Sequence, residues 1–160
     1  KNGSGKTTLI MCISNNFIGN TFNSNIRRKD TSLMEIGSSP SLMPELSLME
    51  NIKYFLFNDN INEKMITNVL NKYELESFKS DLVRDFSSGM IKRSEIAIAD
   101  LKNPKVLCID EPRVYLDENG VDLLLNLITK REKEGSTSIL SSQESIGAFT
   151  SIERSFNLND

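Results

Sequence analysis

Histidine and tryptophan are absent from the chain. Without imidazole there is no His general base and no His metal ligand. Cysteine is nearly absent: Cys12 and Cys108 are the only two. Two thiols among apolar neighbours make no disulfide framework and read as buried thiols of a reducing compartment. Long apolar runs are missing; none approaches the roughly 20 residues that cross a bilayer. No leader-type segment is read in the sequence either, so any path through a membrane is expected to come from other subunits. Excess positive charge is also lacking. The net charge of -3 opposes non-specific nucleic-acid binding, and no nucleic-acid partner is expected. The dense basic run Arg27-Arg28-Lys29 reads as a solvated loop.

What is there fits one domain with a real core: 160 residues, 38% hydrophobic and 26% charged. The informative stretch comes first. Asn2-Gly3-Ser4-Gly5-Lys6-Thr7-Thr8 matches the end of the phosphate-cradling pattern G-x-x-x-x-G-K-[ST]. The pattern's opening Gly would stand one place before Lys1, so the chain is expected to be a fragment lacking an N-terminal strand. An open strand edge would then make the isolated chain unstable or prone to aggregate. Gly3 and Gly5 let backbone N–H groups converge on phosphate oxygens. Lys6 reaches the β- and γ-phosphates, and the Thr7 hydroxyl can coordinate Mg²⁺. Thr8 opens a helix whose N-terminal dipole favours the anion. Asn2 and Ser4 complete the candidate nucleotide contacts.

The rest of the chain alternates helix and strand. Thr7 to Ser14 reads as a helix, Asn15 to Asp30 as loop or short antiparallel strands, and Ser32 to Gly37 as a short strand. Pro40 and Pro44 mark a loop from Ser38 to Leu46. Ser47 and Glu50 form a capping box for a helix running to about Phe57. Asn60 is expected to cap the next helix, with Ile66, Val69 and Leu70 as its stripe. A third helix opens at Phe86 to Met90 and runs from Ile91 to Leu101, stopped by Asn103-Pro104. Lys105 to Asp110 reads as a strand buried on both faces. Asp117 caps a helix with Val121, Leu124, Leu125 and Ile128 at helical spacing, and Gly135 suits its end. Thr137 to Leu140 is a strand, Ser145 to Ser151 a helical turn and Ser155 to Leu158 a final strand. Such alternation predicts a parallel sheet wrapped by helices.

Two further motifs carry chemistry. Ile109-Asp110-Glu111-Pro112 ends the buried strand, where ligands of open α/β sheets sit. Asp110 is placed to hold Mg²⁺, and Glu111 to polarise the water that attacks a γ-phosphate. Phe86-Ser87-Ser88-Gly89-Met90 opens a helix, and helix N-termini suit anions. Their order resembles ABC-type ATPases, whose signature L-S-G-G-Q lies between the phosphate cradle and the Asp-Glu pair. Phe86 stands for Leu, Ser88 for the first Gly and Met90 for Gln. Leu101-Lys-Asn-Pro104 and Val114-Tyr-Leu-Asp117 match the family as well, from Lys1 to about Leu158.

The resemblance implies an α/β P-loop NTPase fold over residues 1–160, with a helical subdomain at about 47–101. It implies ATP and Mg²⁺ as cofactors, ATP hydrolysis coupled to transport, and transmembrane subunits as partners. A homodimer is implied because Ser87, Ser88 and Gly89 would meet the ATP of the other subunit, with Asp117 crossing the seam. Ile36 to Asn51, Phe86 to Met90, Glu118 to Asn126 and Ile139 to Ser142 resemble one subfamily, the haem-exporter ATPase of cytochrome c maturation. That resemblance implies haem export or haem-chaperone release, with the ATPase on the cytoplasmic face of the inner membrane or its mitochondrial matrix face. Other readings stay open: the ATPase of another exporter, or a degenerate ATP-binding subunit with little turnover.

Besides the signature, the chain departs from the family at two places. Ser39 stands where the Q-loop Gln helps bind Mg²⁺, and Gln143 stands where the switch His contacts the γ-phosphate. Gln can hydrogen-bond phosphate but carries no cation. Losing one transition-state donor costs a factor of ~10² to 10³ in rate. The expectation is a chain that binds ATP–Mg²⁺ better than it hydrolyses it.

Overall fold

The computed structural model of the chain describes residues 5–14 and 32–142. The expected elements at Asn15–Asp30, Ser145–Ser151 and Ser155–Leu158 lie outside the described residues. So do Asn2, Gly3, Ser4 and Gln143. The chain divides into two compact units.

The first unit comprises Lys1–Ser38, Pro104–Pro112 and Ile128–Asp160. Among the described residues it holds a parallel sheet of β1 (Leu33–Ile36), β2 (Val106–Asp110) and β3 (Thr137–Ser141), in that order. Ile36 pairs with Ile109, and Ile109 with Leu140. The middle strand has a neighbour on each side, and Leu107, Cys108 and Ile109 are all buried. This explains its unbroken apolar run, since a strand covered on both faces has no polar face to alternate with. Helix α1 (Lys6–Ser14) packs on all three strands and buries Ile10. Its last residue, Ser14, hydrogen-bonds the Glu35 carboxylate of β1.

Cys108 is buried as expected, but Cys12 is only half-buried. Burial, with the Glu35 charge second, pushes the Cys108 thiol from 9.0 up to about 11. Helix α5 (Glu118–Lys133) buries Val121, Leu124, Leu127 and Ile128. Leu127 takes the place expected for Leu125, which is half-buried. The same stripe continues to Arg131, and its guanidinium is therefore carried inside. It donates to the Pro104 carbonyl at 2.8 Å, the Thr137 carbonyl at 3.1 Å and the Ser138 hydroxyl at 3.2 Å. A buried guanidinium is tolerable when its fixed N–H groups find acceptors.

The second unit comprises Ser39–Asn103 and Arg113–Leu127. Helices α2 (Leu48–Phe55) and α3 (Glu63–Lys72) pack on α4 (Ser88–Lys102). The Ser47 capping box is formed: the Glu50 N–H donates to Ser47 Oγ at 3.2 Å, and the Ser47 N–H to Glu50 Oε2 at 2.8 Å. The next cap is Asn62, not Asn60; its Oδ1 accepts the Met65 N–H at 3.0 Å. Asn60 stands two residues before the cap position, and the residue at that position is the one that bonds the N–H of the first turn, here that of Met65. Helix α2 also ends earlier than expected, at Phe55.

Helix α4 is buried from Ser94 to Leu101 and includes two buried acids. Asp100 accepts Lys72 Nζ at 2.7 Å and the Tyr73 hydroxyl at 3.2 Å. Burial and the adjacent Asp100 charge together push the Tyr73 phenol well above its usual range. Asn103 closes α4 in the left-handed conformation, φ 42°, and Pro104 prevents continuation. Buried Asn51 pins the loop before α2 by accepting the Met43 N–H at 2.8 Å and donating to the Met43 carbonyl at 3.0 Å.

Candidate functional site

Gly5 sits at φ +86°, a conformation that a side chain would strain. Its carbonyl accepts the Leu9 N–H at 2.8 Å, so α1 begins immediately after the turn. Lys6, Thr7 and Thr8 therefore occupy the first helical turn. The Thr7 hydroxyl donates to Asp110 Oδ2 at 2.8 Å. Ser141, the residue paired with Asp110 across the sheet, donates its hydroxyl to Asp110 Oδ1. Asp110 is only 1% exposed. Both oxygens of a buried carboxylate are thus met by hydroxyl donors, as burial demands. Glu111 follows at φ 49°, unusual for a residue with a side chain. Its N–H donates to the Ser141 carbonyl at 3.0 Å.

Thr7 and Asp110 offer hard oxygen donors side by side. Among the described residues no three His, Cys, Asp or Glu side chains gather as a metal cage. Mg²⁺ asks for no such cage; it takes one or two protein oxygens and completes its shell with phosphates and water. The donor set fits that cation. Bound there, Mg²⁺ would neutralise phosphate charge. Thr7 gives its hydrogen to Asp110 and so keeps its oxygen lone pairs for a cation.

The remaining candidates lie in the second unit. Ser87 caps α4: its Oγ accepts the Met90 N–H at 3.2 Å, which leaves the hydroxyl hydrogen to donate. Ser88 is exposed and Gly89 half-buried. A Cβ on Gly89 would come within 3.1 Å of the Tyr115 carbonyl, so the signature turn and the Val114–Asp117 loop approach each other closely. Tyr115 itself has φ 69°. Asp117 Oδ1 accepts the Gly120 N–H at 2.8 Å and caps α5 as expected. Ser39 is exposed.

Sequence reasoning missed two groups. Ser41, two residues after Ser39, donates its N–H at 2.8 Å and its hydroxyl at 2.9 Å to Glu95 Oε1 of α4. Burial pushes the Glu95 carboxyl up, against the Ser41 N–H and the Lys92 ammonium at 4.0 Å. Ser141 is the other. Ser41 stands in a Ser/Pro loop and Ser141 beside Ser142, so neither carried a local signal.

The model of the ABC transporter family matches residues 1–114. The chain belongs to the ABC transporter family. Its fold is that of ABC ATP-binding domains. A solved ATP binding subunit of an ABC transporter superposes with a TM-score of 0.75 at 25% identity, over 92% of this chain and 67% of that one. Lantibiotic transport ATP-binding protein SrtF of Streptococcus pyogenes is 36% identical over 150 residues, 88% of this chain. The chain spans 64% of SrtF's length. Cytochrome c biogenesis ATP-binding export protein CcmA of Shewanella oneidensis is 28% identical, over 91% of this chain and 72% of CcmA.

Proposed function

We propose that the chain binds ATP–Mg²⁺ and hydrolyses it as the ATP-binding subunit of an ABC transporter. The observation that carries the reading is the Thr7–Asp110 contact at 2.8 Å, which joins two segments more than a hundred residues apart as a phosphate–Mg²⁺ site requires. Gly5 and Lys6 cradle phosphate, with Asn2, Gly3, Ser4 and Thr8. Thr7 and Asp110 would hold the cation, Ser39 stands for the family's Q-loop Gln, and Glu111 would polarise the attacking water. Ser87, Ser88, Gly89 and Asp117 serve the nucleotide of a second copy. No helix among the described residues is long and apolar enough to cross a membrane, and the proposed partners are transmembrane subunits at the cytoplasmic face of an inner membrane, or its matrix-side equivalent.

Two cargo readings have support. The segment from Ile36 to Asn51 and the CcmA relatives support haem export or haem-chaperone release. The higher identity to SrtF, 36% against 28%, favours lantibiotic transport. Replacement of the family's Gln and His by Ser39 and Gln143 supports slow turnover.

The test is equilibrium binding of ATP with Mg²⁺ beside steady-state hydrolysis, on the chain and on Glu111→Gln. Tight binding, slow turnover and an ATP-trapped dimer in Glu111→Gln are expected. Absence of Mg²⁺-dependent ATP binding would refute the reading; turnover at ordinary family rates would refute its slow-turnover part.

A further inference from the structure

Ser141 is the last residue of β3 and lies directly across the ladder from Asp110. It is 7% exposed. Through its side chain it meets Asp110 Oδ1. Through its main chain it accepts the Glu111 N–H at 3.0 Å. One serine therefore touches both acidic residues, by two separable bonds.

We propose that Ser141 is a positioning residue: its hydroxyl fixes the rotation of the Asp110 carboxylate so that Oδ2 faces Thr7, the pair that would hold a divalent cation. The inference rests on the nucleotide-binding reading above. A carboxylate can rotate about its terminal bond, whose torsional preference is broad. Thr7 alone, meeting one oxygen from an exposed first turn, leaves that rotation loosely held. A second donor on the other oxygen closes it. The donor comes from a strand paired to the same strand that carries Asp110, so its position is set by the sheet and not by a loop. Ser141 is positioned by backbone pairing, Asp110 by Ser141, and the outer oxygen by both.

The main-chain bond to Glu111 survives any substitution at 141 that keeps the strand. Ser141→Ala thus removes the Asp110 contact alone. The measurement is affinity for a fluorescent ATP analogue, with Mg²⁺ and with chelator, on the full chain. Mn²⁺ affinity by electron paramagnetic resonance with nucleotide present is the second readout. Ser141→Ala is expected to weaken Mg²⁺-dependent nucleotide affinity and Mn²⁺ affinity about tenfold. Affinity without the cation should stay within about twofold, because Asp110 then has no metal to orient. Ser141→Thr, which keeps the hydroxyl, should stay within about threefold of the parent. In an Asp110→Asn background Ser141→Ala should add nothing, as expected when one residue acts through another.

Unchanged cation dependence in Ser141→Ala overturns the proposal. So does an equal loss with and without the cation, or an undiminished loss in the Asp110→Asn background. If Ser141→Ala does not fold, weak cation binding by folded Ser141→Thr overturns it and near-parental binding supports it. A parent chain that binds no ATP with Mg²⁺ sinks the nucleotide-binding reading and this proposal together. A parent that binds, with Ser141→Ala indistinguishable from it, sinks this proposal alone.

Discussion

The two units use buried polar groups in opposite ways. In the sheet unit, Thr7, Ser141 and Asp110 converge at the carboxyl ends of the strands, and two hydroxyls share one carboxylate. In the helical unit the buried polar residues are spread out, and each pins a different piece of chain. Asn51 holds the Met43 loop, Glu95 holds Ser41, and Asp100 holds Lys72 and Tyr73. Convergence makes a site whose members depend on one another. Dispersion makes a scaffold whose parts fail one at a time. Arg131 is the exception in the sheet unit, since it works at the strand starts, far from the carboxylate.

That exception predicts the largest effect on stability. Arg131→Met should lower unfolding free energy by about 3 kcal/mol or more, because buried acceptors lose their donor. Urea unfolding measures it, and a change under ~1 kcal/mol would mean that the buried guanidinium does not stabilise the sheet. The next effect tests the contrast itself. Thr7→Val and Ser141→Ala share Asp110, and their double variant should depart from the sum by ~0.5–3 kcal/mol. Ser47→Ala and Lys72→Met share no partner and should add within about 0.5 kcal/mol. Additivity in both pairs would erase the distinction between units.

Much of this arrangement was readable in the chain. The turn at Gly5 into α1, the buried strand with its Asp-Glu end, the Ser47 capping box and the Asp117 cap each depend on residues close together in sequence. What escaped was set by tertiary contact. No local rule says that Ser141 will stand across from Asp110, because strand pairing joins residues 31 positions apart. No local rule says that Arg131 will be drawn inside, because the same stripe read without neighbours favours Leu125. The cap misplaced at Asn60 reflects the stretch Asn58-Asp59-Asn60-Ile61-Asn62, in which several residues satisfy the same preference.

That run offers a smaller, sharper test. Asn62→Ala should cost about 1 kcal/mol, while Asn60→Ala should stay within about 0.5 kcal/mol. Equal effects would remove the correction. The smallest effect expected is in the pH dependence of the sheet unit. The unfolded Cys108 thiol ionises first, near 9.0, and the folded one at about 11. The stability it contributes is complete below the lower value and is lost as pH rises through the upper one. Melting temperatures between those values should fall less steeply in Cys108→Ala. A thiol reagent at pH 8 should modify Cys12 well before Cys108, and simultaneous labelling would contradict the burial.

The Arg131 guanidinium has a consequence at a distance. It ties Pro104, two residues before β2, to the first two residues of β3, at the opposite mouth of the sheet from Asp110. Side chains in a strand alternate faces, so a slip of a single step would turn the carboxylate away from Thr7. The guanidinium serves as the datum from which both strands are counted. Its reach extends along the five residues of β2 to a carboxylate it never touches.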